Sequence, residues 1–262
     1  MPFVENEGLK IYYEFEPGNP PALVFIHGWT ANMNFWKEQR AYFAGKNAML
    51  FIDNRGHGKS DKPKKYDFYR LDKFVSDLEA VVSSLKLRDF VLIGHSFGTM
   101  ISMKYCAGNP EKVRALVLVG GGTRIRSLHK IFYPFSRLMS AINYRSAVRL
   151  VENLSFAENA VELKEWAFRQ VIENTPRYSA MNGYKTLTKI DLREDAKRIE
   201  KPTLIIVGEK DALLPVEKSK ELNKLIRNSK IVVIPQAGHC VQLERPMEVN
   251  REIEEFCSKL RG

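Results

Sequence analysis

The chain has 262 residues, of which 44% are hydrophobic and 11% are aromatic, and its formal net charge is +10. This length supports one large hydrophobic core but not two independent large domains, so we expect a single domain that carries an insertion. The basic charge comes without a zinc finger, a helix-turn-helix or an aromatic RNA-binding signature, which argues against a nucleic-acid partner and favours a solvated basic surface.

The sequence also shows no signal for a membrane span or for export. No stretch approaches the roughly 18 consecutive apolar residues of a membrane span. Residues 1–7 include acidic side chains where a signal peptide has a basic and then an apolar run. We therefore expect a cytoplasmic protein without an integral membrane contact.

Short aliphatic or β-branched runs alternate with longer amphipathic stretches, a pattern typical of buried parallel strands joined by crossover helices. An antiparallel edge strand is predicted first, and six strands and four helices follow it. The predicted strands are 9–15, 22–26, 48–53, 90–93, 115–119, 203–207 and 231–234, and the predicted helices are 71–85, 96–108, 216–226 and 246–260. The pattern predicts an α/β fold with a mostly parallel, doubly wound sheet.

This alternation stops from about residue 121 to residue 190, where aromatic and basic residues recur at helical spacing. We predict that residues 1–120 and 191–262 form the core and that residues 121–190 form an inserted helical cap. The cap has more aromatic side chains than its own small core needs, so we expect an apolar acyl pocket beneath it. The aromatic residues are Phe132, Tyr133, Phe135, Tyr144, Phe156, Trp166, Phe168, Tyr178 and Tyr184.

The first half of the predicted cap is strongly basic. It carries no acidic residue before Glu152, and its cations are Arg124, Arg126, Lys130, Arg137, Arg145 and Arg149. A basic amphipathic surface of this kind is able to make weak interfacial contact with anionic lipid. The simpler interpretation, which we expect to hold, is a solvated helix surface covered by the stems of lysine and arginine.

The strongest chemical signal is Gly94-His95-Ser96-Phe97-Gly98, which fits the pattern G-x-S-x-G. In this motif a sharp turn after a strand presents a serine hydroxyl, and the two glycines allow backbone segments to approach closely. The pattern alone is common by chance. Its context strengthens it here, because a buried-strand pattern enters the motif and a helical pattern leaves it.

A serine hydroxyl is a poor nucleophile near neutral pH, so this interpretation also requires a base and an orienting acid. His239 is the only histidine that follows Ser96 at the end of a predicted strand. Glu209 and Asp211 are two candidate acids on the loop after strand 203–207. We favour Asp211, since its distance from the strand lets the loop turn inward, whereas Glu209 is expected to stay outside. The predicted catalytic residues are therefore Ser96, His239 and Asp211.

The three cysteines do not suggest a site of their own. Cys106, Cys240 and Cys257 lie far apart and lack both C-x-x-C and Cys/His ligand spacing, so we expect reduced thiols, no disulfide and no metal site. Cys240 adjoins His239, but neighbouring loop residues usually point apart, and we interpret its thiol as a packing group.

Taken together, four segments resemble the α/β-hydrolase family, and within it the capped esterases, over essentially the whole chain. They are His27-Gly28-Trp29 with Trp36, the segment 53–60 (D-x-R-G-x-G-x-S), the Gly94 to Gly98 motif, and Gly238-His239 followed by Glu244-Arg245-Pro246. The resemblance implies an oxyanion hole formed by the backbone N–H groups of Trp29 and Phe97, whose rings are also expected to bind substrate at the pocket mouth.

The resemblance also implies roles for several buried-looking polar residues near these motifs. It assigns His27, Asp53, Arg55 and His57 to bracing loops, and it places His95 beneath the serine turn. These are structural roles rather than chemical ones.

The activity implied is that of a serine hydrolase, without cofactor, that cleaves a small-molecule carboxylic ester through an acyl-enzyme. Two alternatives stay open: the same residues acting on thioester, lactone, amide or peracid substrates, and a ligand-binding receptor on the hydrolase scaffold. Dehalogenases and epoxide hydrolases of the family need an aspartate where this chain has Ser96. Its carbon–carbon bond hydrolases usually carry asparagine where this chain has His95.

Overall fold

An eight-stranded sheet organises the molecule. The computed structural model describes residues 2–125 and 127–261, and for residues 127–132 and 261 it describes the backbone only. The strands are β1 (Phe3–Asn6), β2 (Leu9–Glu16), β3 (Asn19–Ile26), β4 (Asn47–Ile52), β5 (Phe90–His95), β6 (Val113–Val119), β7 (Thr203–Gly208) and β8 (Ser229–Ile234). Their spatial order is β1-β2-β4-β3-β5-β6-β7-β8.

The sheet is mostly parallel, which confirms the predicted fold class. β1 pairs with β2, and β2 with β4, in antiparallel fashion, whereas every other neighbouring pair is parallel. The direction in which successive strands are added reverses between β3 and β5. Ligands of open α/β sheets bind beyond the carboxyl ends of the strands at such a reversal.

Helices cover both faces of this sheet. They are α1 (Lys37–Phe43), α2 (Leu71–Ser84), α3 (Phe97–Gly108), α4 (Ser127–Ile142), α5 (Tyr144–Ser155), α6 (Val161–Asn174), α7 (Arg177–Leu187), α8 (Arg193–Lys197), α9 (Val216–Leu225), α10 (Val241–Glu244) and α11 (Pro246–Ser258). Short 3-10 helices lie at Met33–Trp36, Tyr66–Tyr69, Pro110–Lys112 and Lys259–Arg261. Five consecutive helices, α4 to α8, lie between β6 and β7.

The alternation of side chains along the central strands divides the core into two layers. Every residue of β4, β5 and β7 is buried, because helices pack on both faces. On one face Leu92 packs with residues of α2 and α3, such as Leu78 and Met100. On the other face Ile93 belongs to a cluster that includes Ile253 of α11. Burial on both faces explains why these strands appear in the sequence as continuous apolar runs.

The prediction that the strand near residues 9–15 lies at the sheet edge was wrong. The segment is antiparallel, as expected, but β1 pairs outside it and forms the edge. A two-residue connection joins the two strands, and both of its residues, Glu7 and Gly8, have positive φ, as a tight hairpin turn of this kind requires. β1 is only four residues long and its side chains are partly exposed, so it lacks the apolar run that predicts a strand.

A buried ion pair joins the loop after β4 to α2. The Arg55 guanidinium donates through Nε to Asp77 Oδ2 and through Nη2 to Asp77 Oδ1, each at 2.6 Å. The side chains are 0% and 3% exposed, respectively. Arg55 also donates to the Phe68 carbonyl at 3.1 Å. The pair therefore fixes the loop of residues 53–60 against the core.

Asp77→Ala is expected to lower the free energy of unfolding by about 3–5 kcal/mol, because the buried guanidinium loses its bidentate partner and keeps as counter-ion the partly exposed Glu7, at 3.3 Å. Urea unfolding followed by circular dichroism measures the loss. The matched control is Asp72→Ala on the same helix, whose exposed pair with Arg70 is expected to be worth less than about 1 kcal/mol. Similar losses in both variants would show that the Arg55–Asp77 pair does not fix the loop.

Candidate active site

Ser96 occupies a sharp turn between β5 and α3. Its φ of 51° and ψ of −115° lie in a region that costs a non-glycine residue on the order of 1–3 kcal/mol. The surrounding backbone holds it there: the Ser96 N–H donates to the Val119 carbonyl at 2.9 Å, and the Ser96 carbonyl accepts from the Thr99 N–H at 2.9 Å. The turn leaves Ser96 at the carboxyl end of the central strand.

The two glycines of the motif are required by close backbone approach. A Cβ at Gly94 would overlap the carbonyl group of Gly98, and a Cβ at Gly98 would overlap the carbonyl oxygen of Ile26 at the end of β3. The serine turn, α3 and β3 therefore pack backbone against backbone, and only glycine fits at these two positions.

His239 and Asp211 form a buried pair. The Nδ1–H of His239 donates to Asp211 Oδ2 at 2.7 Å, and the two side chains are 5% and 0% exposed. The other carboxylate oxygen, Oδ1, accepts from the N–H groups of Leu213 at 2.9 Å and Leu214 at 2.8 Å. With the proton placed on Nδ1 by this bond, Nε2 of the imidazole is an acceptor.

The second candidate acid lies elsewhere. Glu209 is exposed, and its Oε2 accepts from the Gln236 N–H at 3.0 Å. The loop turns at this point, since the Asp211 N–H donates to the Gly208 carbonyl at 3.2 Å. The structure thus brings Asp211, and not Glu209, to His239.

A half-buried carboxylate, that of Glu244, holds the His239 loop in place. Glu244 Oε1 accepts from the Gly238 N–H at 2.9 Å, and its Oε2 accepts from the Ala157 N–H at 2.8 Å. Burial raises the pKa of Glu244, while these two donors oppose the rise. Glu244 therefore ties the segment before His239 to the segment after α5, a role that the sequence alone did not indicate.

Two more contacts fix the backbone at His239 and Cys240. The Cys240 N–H donates to the Ser155 carbonyl at the end of α5, at 2.9 Å. His95 donates from Nε2 to the His239 carbonyl at 3.1 Å, and the two imidazole rings lie 4.9 Å apart. Burial lowers the pKa of His95 to about 3, so this imidazole is neutral.

The loop after β3 is braced by Asp53. Its Oδ1 accepts from the Met33 N–H and its Oδ2 from the Lys59 N–H, both at 2.8 Å. One carboxylate thus joins the loop after β3 to the loop after β4. A Cβ at Gly28 would lie 3.2 Å from the Ser96 Cβ, so the loop after β3 passes directly beside the serine.

Two neutral histidines complete this bracing. His27 donates from Nδ1 to the Gly28 carbonyl at 2.8 Å and accepts the Asn54 N–H on Nε2 at 2.9 Å. His57 Nε2 accepts the Thr30 N–H at 3.3 Å. Burial lowers the pKa of His57 to about 4 and that of His27 well below its ordinary value, which keeps both rings available as acceptors.

The two backbone donors implied by the family resemblance belong to the residue after Ser96 and to the loop after β3, which passes beside it. The Phe97 N–H is at the start of α3, where helix N–H groups lack intrahelical acceptors and carry partial positive charge. Within residues 2–125 and 127–261, neither Trp29 nor Phe97 donates its backbone N–H to another group. Both residues line the same cavity as Ser96.

The two rings differ in their surroundings. The Trp29 indole stacks on Tyr184 at 5.2 Å and donates to the Ala180 carbonyl at 2.7 Å, so α7 holds it in place. The Phe97 ring packs edge-on against Phe74, and the residue is 1% exposed. Trp29 therefore has the larger side-chain surface to offer a ligand.

A cavity of about 500 Å³ lies over Ser96 and His239. This volume falls within the range of small-molecule sites. Its wall is mainly apolar and comes from α4, α5, α7 and the core; it includes Met100, Phe135, Met139, Leu150, Tyr184 and Leu214.

The aromatic residues of segment 121–190 have different surroundings. Phe135, Tyr144 and Tyr184 line the cavity, whereas Phe156 and Phe168 belong to a separate hydrophobic cluster. Tyr178 donates to the Lys62 carbonyl at 3.1 Å and so attaches α7 to the core. The side chain of Phe132 lies outside the described part of the chain.

Among the basic residues of the same segment, Arg149 has clear partners. Arg149 pairs with Glu165 at 2.7 Å and lies 3.7 Å over the Phe168 ring. Arg126 and the Lys130 side chain lie outside the description. On α4 the apolar side chains Phe135, Leu138 and Ile142 are exposed.

The described residues show neither a membrane-spanning helix nor a metal-binding cluster. In 2–125 and 127–261, no helix has the length and apolar character needed to cross a membrane. The same residues contain no group of three or more histidine, cysteine or acidic side chains arranged to hold a metal ion.

Comparison with known proteins identifies the family. The family described as the alpha/beta hydrolase fold matches this chain over residues 21–246. A putative non-heme chloroperoxidase from Synechocystis sp. is 31% identical over 95% of this chain and 97% of its own length. Epoxide hydrolase 1 from Caenorhabditis elegans is 24% identical over 98% of this chain and 70% of its own length.

Solved structures support the same family assignment. Est816, described as an N-acyl homoserine lactone degrading enzyme, has a TM-score of 0.86 at 29% identity and covers 97% of this chain and 100% of its own. An esterase from Exiguobacterium antarcticum has a TM-score of 0.89 at 26% identity, with 99% of each chain covered. The family match over residues 21–246 and the eight-stranded sheet show that this chain belongs to the α/β hydrolase fold family.

Proposed function

We propose that this member of the α/β hydrolase superfamily is a serine hydrolase that cleaves small-molecule carboxylic esters through an acyl-enzyme. The observation that carries the proposal is the buried His239–Asp211 hydrogen bond, in one cavity with a serine held on a strained turn. A pair of this kind supplies the oriented base that a serine hydroxyl needs. We also propose that residues 121–190 act as a cap over the site.

In the proposed reaction the Ser96 hydroxyl attacks the ester carbonyl carbon while His239 Nε2 takes its proton. The backbone N–H groups of Trp29 and Phe97 stabilise the negative charge that develops on the carbonyl oxygen. His239 then protonates the departing alkoxide, leaving the acyl group on Ser96. In the second half His239 takes a proton from water, the hydroxide attacks the acyl carbon, and the proton returns to Ser96 as the acid leaves.

Asp211 acts on His239 rather than on the substrate. Its carboxylate fixes the Nδ1–H tautomer and stabilises the imidazolium formed during each transfer. Two backbone N–H donors hold Oδ1, so the carboxylate cannot rotate without losing them. Asp211 is therefore a positioning residue.

Lactone hydrolysis is the second candidate function, and the similarity to Est816 favours it. A lactone is an internal ester, so the same steps apply, and the alcohol stays attached to the acyl group. Epoxide opening fits the site less well despite the epoxide hydrolase relatives, because it requires a carboxylate nucleophile at the position of Ser96.

Ser96→Ala is expected to abolish both ester turnover and labelling by a fluorophosphonate probe, because it removes the attacking oxygen. Ester hydrolysis rates and peptide mapping of the labelled protein measure the two effects. Ser102→Ala is the matched control: this hydroxyl is buried in α3 and bonded to the Gly98 carbonyl, so its loss should leave both readouts in place. A folded Ser96→Ala protein that keeps a substantial esterase rate would refute the assignment.

Asp211→Asn is expected to lower kcat about 10³- to 10⁴-fold, by analogy with the wrong-tautomer variant of the serine-protease triad. Glu209→Gln should change kcat little, since the Glu209 carboxylate accepts from the Gln236 backbone and lies away from His239. Steady-state kinetics on one ester compares the pair. If Glu209→Gln proved the more damaging substitution, the acid would have been assigned to the wrong residue.

A further inference from the structure

Glu152 on α5 is a buried carboxyl group that the proposed mechanism does not use. The residue is 3% exposed and lines the cavity over Ser96. Within the described part of the chain it makes neither a hydrogen bond nor an ion pair. Arg149, one turn earlier on α5, is the cation that affects the pKa of Glu152. Its guanidinium is paired with Glu165 on α6. Among the described residues, the carboxyl group therefore has no partner at the cavity wall that it lines.

Other polar side chains of the cavity wall already have partners. The Tyr144 hydroxyl donates to the Thr175 carbonyl at 2.8 Å, and the Ser155 hydroxyl donates to the Val151 carbonyl at 2.8 Å. The Ser140 hydroxyl donates to a backbone carbonyl of its own helix, and Ser136 is bonded to Tyr184. In a mainly apolar wall, Glu152 is thus a buried polar group left for a ligand, because burying a polar group without a partner is costly.

The position of Glu152 indicates which part of a substrate it meets. It lies one helical turn before Ser155, whose carbonyl accepts the N–H of Cys240, the neighbour of His239. Cys240 and Glu152 line the same cavity, and burial together with the Glu152 carboxylate, once it is ionised, raises the pKa of the Cys240 thiol. His239 hands its proton to the departing alcohol, so the alcohol portion of an ester lies on this side of the cavity.

The carboxyl group is protonated at neutral pH. Burial raises the pKa of Glu152 to about 8, while Arg149 opposes the rise. The titratable groups around it are Arg149 and Tyr144 on its own helix and Cys240 on the His239 loop. From α4 the cavity is lined by Phe135, Ser136, Met139 and Ser140, none of which titrates, and on α6 Glu165 is held by Arg149. A neutral carboxyl offers one O–H donor and one carbonyl acceptor.

We propose that Glu152 is a specificity-determining residue that, as a neutral carboxylic acid, donates a hydrogen bond to an uncharged oxygen in the alcohol portion of the substrate. The inference rests on the proposed ester hydrolysis. It narrows the substrate class to esters whose alcohol carries an ether or hydroxyl oxygen. A purely alkyl alcohol of equal size leaves the carboxyl unpaired and is disfavoured.

The test compares 2-methoxyethyl butanoate with butyl butanoate, two esters that differ only by an oxygen in place of a methylene. The wild type is expected to have a higher kcat/KM for the methoxyethyl ester than for the butyl ester, and the ratio of the two values measures its preference. Glu152→Leu should lower this ratio about tenfold, the effect of one hydrogen bond. Glu152→Gln should keep it within about threefold, because the amide also donates. Glu158→Gln, at an exposed position of the same segment, is the control and should not alter the ratio.

The pH profile supplies a readout that a packing role would not move. Above about pH 8 the wild-type carboxyl loses its donor proton, so the preference for the methoxyethyl ester should fall as pH rises. The preference of Glu152→Gln should stay flat over the same range. An unchanged ratio in Glu152→Leu, or an equal loss in the Leu and Gln variants, would overturn the proposal.

Binding to the Ser96→Ala protein separates this inference from the proposed function. Calorimetry with the same two esters measures preference without turnover, and the additional Glu152→Leu change should remove that preference. If the wild type hydrolysed no ester, the proposed function would fail while this binding comparison still decided the role of Glu152. Tighter binding of 2-(trimethylammonio)ethyl butanoate than of the methoxyethyl ester, lost in Glu152→Gln, would show a charged carboxylate and would also overturn the proposal.

Discussion

Close backbone packing around Ser96 is the constraint on which the rest of the site depends. Gly94 and Gly98 leave no room for a side chain against α3 and the end of β3, so the turn cannot relax without separating these elements. The register that sets Ile26 beside Gly94 brings the loop after β3 next to the serine. Ser96 and the loop that carries Trp29 are thus placed by the sheet itself, and their geometry does not rely on flexible side chains.

Buried polar groups then fix the loops that surround this turn. Asp53 joins two loops, the neutral rings of His27 and His57 accept backbone N–H groups, and Glu244 holds the segment before His239. Each of these groups is satisfied by backbone partners, so each is able to stay buried without a large penalty. Glu152 differs, since it has no such partner in the described chain. This contrast between satisfied and unsatisfied carboxyl groups separates residues that maintain the fold from one that is available to a ligand.

Much of the fold and of the candidate site could be predicted from the sequence, because short segments carried clear patterns. Apolar runs marked the buried strands, and the length of the loop after β7 favoured Asp211 over Glu209. The structure sets Asp211 against His239 and sets Ser96 and His239 in one cavity. β1 was not predicted, because a four-residue, half-exposed strand has no distinctive sequence pattern. Its strand conformation depends on its antiparallel pairing with β2. The positions of Glu244 and Glu152 depend on contacts between distant segments, which composition and periodicity do not encode.

The central claim is that the reaction passes through an ester of Ser96. Rapid quenching of the wild-type enzyme during turnover of a butanoate ester, followed by peptide mass spectrometry, tests it most directly. The account predicts a butanoyl mass increase confined to the peptide that contains Ser96, appearing before steady state and disappearing when substrate is exhausted. A transient butanoyl group on a different residue, or a burst of product with the Ser96 peptide unmodified throughout, would contradict it.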